Sequence, residues 1–163
     1  MTLDMSSKDE VHLEDEIKTL KLYLELEALR FEEKFNYAIY LPDDINTLDI
    51  YLPSMLVQPY IENAIKHGLL HKHGNKNIEV SFSLKDEYTL QCKIFDNGIG
   101  RKRSIEMNAL REKKYTSFAT GATQSRLELL NAKRTNTISV MYNDLVNNDG
   151  IATGTEVMIE IAI

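Results

Sequence analysis

Three short stretches carry residue types suited to holding a nucleotide. "ENAIKHG" runs from Glu62 to Gly68, "DNGIG" from Asp96 to Gly100, and "GTEV" from Gly154 to Val157. An aspartate at a strand end can accept a hydrogen bond from an exocyclic amine, which separates adenine from guanine. Glycines beside it let backbone approach a flat base or a phosphate without a Cβ clash. An asparagine on a facing helix offers a carbonyl oxygen to Mg2+, which takes hard oxygen ligands. Lys66, three residues after Asn63, projects from nearly the same helix face and can meet phosphate charge. Each stretch alone has a plainer explanation. "DNG" also makes an ordinary turn, because Asn and Asp tolerate left-handed backbone. "ENA" suits a helix surface, and Gly-Thr before a strand is common. Their joint order raises the signal above that of any one.

Such residues need a scaffold, and the rest of the chain supplies one. "SSKDEVHLEDEIKTLKLYLELEALRFEEKF" predicts a long helix, with Ser6 or Ser7 as N-cap and acids in the first turns. Leu13, Ile17, Leu20, Leu24, Ala28 and Phe31 recur at three- and four-residue spacing as one apolar stripe. Leu22, Leu26 and Leu29 lie on a second face. A helix apolar on two faces wants two partners. Either both faces pack within one globule, or the second meets a further helix or another copy of the chain. "FNYAIYLPDD" and "LDIYLPSM" predict short strands. "PSMLVQPYIENAIKHGLL" predicts a helix, with Pro53 in its first turn and Pro59 ending or kinking the first segment. "IEVSFSLKDEYTLQCKIFD" alternates apolar and polar residues around "KDE", a β-hairpin that ends on Asp96. A helix and a loop follow over "RKRSIEMNALREKKYTSFATGA". "TQSRLELLNAKR" predicts a helix capped by Thr123, and "TISVMYND" and "GTEVMIEIAI" a closing pair of strands. The sum is a two-layer α+β sandwich, its mixed, largely antiparallel sheet covered by helices on one face, preceded by a helical arm.

Composition narrows the function. The chain has 163 residues, 43% of them hydrophobic, enough for one domain with a core and an appendage. Its formal net charge of −6 argues against a phosphate-tracking nucleic-acid surface. The one cysteine, Cys92, falls in a predicted strand and reads as a buried thiol in a reducing compartment. No run approaches the ~18 apolar residues of a spanning helix, so we expect the polypeptide to be soluble as it stands. His67 and His71 are four apart with His73 close behind, but zinc would need further ligands, and only Cys92 and carboxylates are on offer. The run Arg101–Arg103 reads as a solvated face, or as a phosphate contact beside the glycine turn. "REKK" at Arg111 to Lys114 reads as plain surface.

"LEDEIKTLKLYLELEALRFEEKF", "LPSMLVQPYIENAIKHGL", "DNGIG", "TQSRLELLN" and "GTEVMIEI" together resemble the C-terminal part of sensor histidine kinases of the LytS/YehU type. The resemblance runs from about Val11 to the end of the chain, and "QPYIENAIKHG" is its most specific stretch. It implies the Bergerat ATP-binding fold shared with DNA gyrase, Hsp90 and MutL, with ATP bound under a lid. It implies that Asn63 ligates Mg2+, that Asp96 reads adenine, and that Gly98 and Gly100 form the turn beside it. Thr155, after Gly154, would assist adenine recognition through a water shared with Asp96. Lys66 and His67 would lie near the phosphates, and Glu62 is typical of the family. Hydrolysing members of the superfamily carry a general-base Glu four residues before the Mg2+ ligand. Here that position is Pro59, which favours transfer to a protein histidine over hydrolysis.

The resemblance also implies a division, with residues 1–35 as the second helix of a dimerisation hairpin and residues 36–163 as the ATP-binding domain. The phosphoacceptor histidine of the family sits upstream in a stretch like Pro-His-Phe-Leu-Phe-Asn, and nothing similar occurs here; His12 is followed by "LEDE". We therefore expect a catalytic fragment of a membrane-anchored sensor, working from the cytoplasmic side. Its partners would be an upstream phosphoacceptor helix, a second protomer and a response regulator. The second leucine stripe would face the hairpin partner and the other protomer. The family's lid glycine, seven residues before Arg126, is replaced by Ala119, with Gly121 out of register. That departure favours an alternative, a pseudo-kinase or docking module that binds nucleotide weakly. The intact Asn63, Asp96 and Gly154-Thr155 favour the kinase.

Overall fold

The computed structural model of the chain describes residues 10–30, 35–111, 123–132 and 138–163. Ser6, Ser7, Phe31, Lys113, Lys114, Ala119 and Gly121 lie outside the described residues. The elements in chain order are β1 (Glu10–His12), α1 (Leu13–Arg30), β2 (Asn36–Tyr40), β3 (Tyr51–Pro53) and α2 (Gln58–Asn63). Helix α2 continues as a widened π-helical turn over Ala64–Leu69. Then come β4 (Asn77–Asp86), β5 (Thr89–Asp96), α3 (Arg101–Arg111), α4 (123–132), β6 (Ile138–Val146) and β7 (Ala152–Ala162).

Five strands form one sheet in the order β2-β4-β5-β7-β6. Only β2 and β4 are parallel; the other three pairings are antiparallel. The predicted hairpin is β4–β5, and the closing strand pair is β6–β7. Alternation decides what each strand buries. On β5, Leu90, Cys92, Ile94 and Asp96 face inward; on β7, Thr155, Val157, Ile159 and Ile161 do. These apolar side chains form one core with Leu13, Ile17, Leu20 and Leu24 of α1 and Tyr60 and Ile61 of α2. The two-layer α+β sandwich expected from the pattern is the architecture found.

The start of the chain differs from the helix the periodicity predicts. Glu10–His12 is a strand, paired antiparallel with β3, and α1 begins at Leu13. The backbone donors of Leu13 and Glu14 go to the carbonyls of Ile50 and Thr47, so tertiary pairing overrides local propensity here. The first stripe of α1 is the buried one: Leu13, Leu20 and Leu24 are 0% exposed. The second face is open, with Leu22 at 57%, Leu26 at 52% and Leu29 at 77%. Pro53 lies in β3 rather than in a helix, and Pro59 stands in the first turn of α2 rather than kinking it. A first-turn proline leaves no intrahelical bond unmade, which is why Pro59 is tolerated.

Candidate functional site

Alternation along β5 makes Asp96 anomalous. It follows Leu90, Cys92 and Ile94 on the core-facing side and is 2% exposed. Across the ladder its partner is Thr155 of β7, also inward-facing. One carboxylate oxygen, Oδ1, accepts the backbone N–H of Gly98 at 2.9 Å. The other makes no hydrogen bond to a described residue. Burial drives the Asp96 carboxyl up to about 7, against the opposing effects of the Gly98 bond and the Lys72 charge.

The helix that faces Asp96 is shaped to touch it. The widened turn Ala64–Leu69, closed by the Leu70 N–H on the Ile65 carbonyl at 2.9 Å, delivers Gly68 onto the end of β5. A Cβ at Gly68 would stand 2.5 Å from Asp96 Oδ1. A Cβ at Gly98 would stand 2.3 Å from the carbonyl carbon of Gly68, and the Ile99 N–H donates to the Gly68 carbonyl at 3.1 Å. So "ENAIKHG" and "DNGIG" meet backbone to backbone. Gly154 plays the same part on the other side, where a Cβ would fall 2.1 Å from the Asp96 carbonyl oxygen. These three glycines serve the contact between protein segments; of them only Gly68 also lines the cleft, where Gly100 joins it. Asn97 turns away from the cleft. Its side-chain oxygen accepts the Asn77 N–H at 2.8 Å, and its amide donates to the Asn75 carbonyl at 3.0 Å. Lys72 Nζ holds the Asn97 carbonyl at 2.5 Å.

Beside this junction opens a cleft of ≈ 300 Å³, the size range of a small-molecule site. Asn63, His67, Asp96, Gly100 and Thr155, all expected from sequence, line it together. Glu62 and Lys66 do not: Lys66 Nζ lies 2.5 Å from Glu62 Oε1 on the exposed side of the helix. Gly98 and Gly154 lie behind the lining. The imidazole of His67 is biased toward the neutral form by burial first, then by the charges of Lys66 and His71.

Several lining residues were not singled out from the sequence, although some sit inside the quoted stretches. Tyr60, Leu127, Val140 and Val157 supply apolar walls, and Tyr60 is pushed up to about 12 by burial, so it is a neutral phenol. Arg101, expected as a solvated face or as a phosphate contact, lines the cleft. Its Nε and Nη2 grip Asp144 of β6 at 2.8 and 2.7 Å, and its guanidinium sits 4.5 Å over the Tyr142 ring. The pair holds Asp144 below the usual carboxylate range. Arg101 directly follows Gly100, a position that marks it in the sequence; Tyr142 and Val140 are legible only as inward or outward positions of a strand.

No protein-family model matches the chain. Among curated proteins it is similar to the sensor histidine kinase/phosphatase LytS of Staphylococcus aureus, 30% identical over 131 residues, or 80% of this chain. It is 31% identical over 98 residues to the sensor protein LytS of Staphylococcus epidermidis. The chain spans 22% and 16% of the length of those two relatives. Among solved structures it resembles the nucleotide-free catalytic domain of the histidine kinase ThkA, with a TM-score of 0.60 and 10% identity, covering 94% of this chain and 93% of that one. It also resembles full-length ShkA in complex with AMPPNP, with a TM-score of 0.59 and 15% identity, covering 94% of this chain and 31% of that one.

Proposed function

We propose that this chain, a relative of the LytS sensor histidine kinases with the fold of a histidine kinase catalytic domain, binds Mg-ATP in the cleft at Asp96 and supplies the γ-phosphoryl group to a protein histidine. The observation that carries the reading is the half-satisfied Asp96 carboxylate. A buried acid whose second oxygen has no hydrogen bond to a described residue, beside a cleft, leaves an acceptor for a ligand to use. An exocyclic amine is such a donor, and guanine would present a carbonyl there instead.

The rest of the lining fits the remainder of the molecule. Tyr60, Val140 and Val157 suit the base and ribose. Asn63 offers an amide oxygen toward Mg2+, which takes oxygen ligands and neutralises phosphate charge when bound. Neutral His67 can donate or accept one hydrogen bond at the same wall. Lys66 stands one helical turn from Asn63 and reaches phosphate only by leaving Glu62. Among the described lining residues the only carboxylate is Asp96, and Pro59 occupies the position where hydrolysing relatives carry their general base. That supports phosphoryl transfer to histidine over hydrolysis.

In this reading, residues 1–35 carry the second helix of a dimerisation hairpin and residues 36–163 the ATP-binding domain. One feature supports the first half of that division: Leu22, Leu26 and Leu29 are left for a partner, while the other stripe of α1 joins the core of the ATP-binding domain. The phosphoacceptor helix, a second protomer and a response regulator complete the phosphorelay, on the cytoplasmic side of a membrane-anchored sensor. No helix among the described residues is long and apolar enough to cross a membrane. The test is a chain extended upstream through the phosphoacceptor helix and incubated with γ-labelled ATP. Acid-labile, base-stable label on histidine is expected. Nucleotide binding without any phosphohistidine would favour the docking-module alternative.

A further inference from the structure

Residues Ser54 to Val57 join β3 to α2, and Met55 there takes a left-handed backbone, φ 61°, without being glycine. Such a turn persists only where its surroundings hold it. Two side chains from distant parts of the chain do so. Glu16 of α1 is 2% exposed, and its two oxygens accept the backbone N–H groups of Met55 at 3.3 Å and Val57 at 3.4 Å. Arg126 of α4 donates one nitrogen to the Met55 carbonyl and another to the Ser54 carbonyl. An acid thus takes the turn's donors and a base takes its acceptors. Burial raises the Glu16 carboxyl, while both backbone bonds and the Arg126 charge favour its ionised form.

The two helices so joined both line the cleft, with α3 adding Arg101, Ser104 and Ile105. Helix α2 and its widened turn bring Tyr60, Asn63 and His67 to the lining, and α4 brings Thr123, Gln124 and Leu127. Neither Glu16 nor Arg126 lines the cleft. The opposite wall, with Asp96 and Thr155, belongs to the sheet and has its own ladder bonds.

We propose that Glu16 and Arg126 are positioning residues of the nucleotide site, clamping the 54–57 turn so that α2 and α4 stay in register and the cleft is tied to α1. This rests on the nucleotide reading above. It makes α1 a lever: any displacement of that helix by a partner on its Leu22-Leu26-Leu29 face moves the carboxylate that holds the wall carrying Asn63. The wall set by the clamp carries Asn63, expected to meet Mg2+, whereas Asp96, expected to read the base, is anchored in the sheet.

The experiment is calorimetry with Mg-ATP and, separately, adenosine, on the parent chain and on Glu16→Gln, Arg126→Gln, Arg126→Lys and the double variant Glu16→Gln/Arg126→Gln. Melting curves confirm that each is folded at the titration temperature. Arg126 is half-buried at the surface, so its variants keep the test alive if Glu16→Gln does not fold. Mg-ATP affinity is expected to fall about tenfold in Glu16→Gln and Arg126→Gln, with adenosine changed less than about threefold. The double variant is expected to be no worse than the weaker single, because both act on one turn. Arg126→Lys, which keeps a donor, is expected to recover part of the loss. Unchanged Mg-ATP affinity in folded variants, or equal losses for both ligands, overturns the clamp alone. A folded parent that binds neither ligand overturns the nucleotide reading and the clamp with it.

Discussion

Asp96 is the residue on which recognition turns. A hydrogen bond to a charged acceptor contributes about 1.5–3 kcal/mol, so Asp96→Asn should weaken adenosine and ATP by roughly ten- to a hundredfold, measured by calorimetry. The same acid has a pH signature. It titrates near 7, and the carboxylate is the better acceptor for an amine, so adenosine affinity should rise between pH 6 and pH 8 and flatten above that. The stability effect runs the other way. Between the ordinary value of 3.8 and about 7 the folded chain keeps a proton that the unfolded chain gives up, so folding weakens as pH rises through that window. Asp96→Asn lacks this loss. Its melting temperature should rise relative to the parent's as pH rises up to about 7, as thermal scans across that range would show. Gly98→Ala should behave oppositely to a surface change: the Cβ has backbone 2.3 Å away that cannot yield, and the variant should lose several degrees of melting temperature together with nucleotide binding.

At the scale of elements, α1 offers a paired test. Leu20 is 0% exposed in the core, and Leu20→Ala should cost about 2–5 kcal/mol in denaturant unfolding. Leu26 is 52% exposed, and Leu26→Ala should cost little in the monomer while weakening self-association seen by light scattering. Equal costs at the two positions would mean that the outer face is not a docking face. The periodicity of α1 and the alternation in β4 and β5 were legible because each element has one buried side. The strand at Glu10–His12 was not, because what makes it a strand is β3, some 40 residues away, and no local pattern carries that pairing. The widened turn at Ala64–Leu69 was hidden for the same reason. It answers to the close approach of Gly68 and Asp96, which exists only once α2 and β5 are packed.

For the whole molecule, the site was legible as a set of residues before it was legible as a shape. Asn63, His67, Asp96, Gly100 and Thr155 were expected and do share one cleft. Glu62 and Lys66 satisfied the spacing but stand outside it, paired with each other, because helix phase alone does not say which side faces a sheet. Arg101 was underrated: its bond to Asp144 depends on β6, more than 40 residues on. With Pro59 at the start of α2, the purified chain should hydrolyse ATP only near the uncatalysed rate, and Glu62→Ala should leave that rate unchanged in a phosphate-release assay. The central claim, that this cleft holds an adenine nucleotide through Asp96, is tested most directly by calorimetric titration of Mg-ATP into the folded parent and into Asp96→Asn. Saturable binding to the parent, at least tenfold weaker in the variant, is predicted. No binding to the folded parent, or equal binding to both, would contradict it.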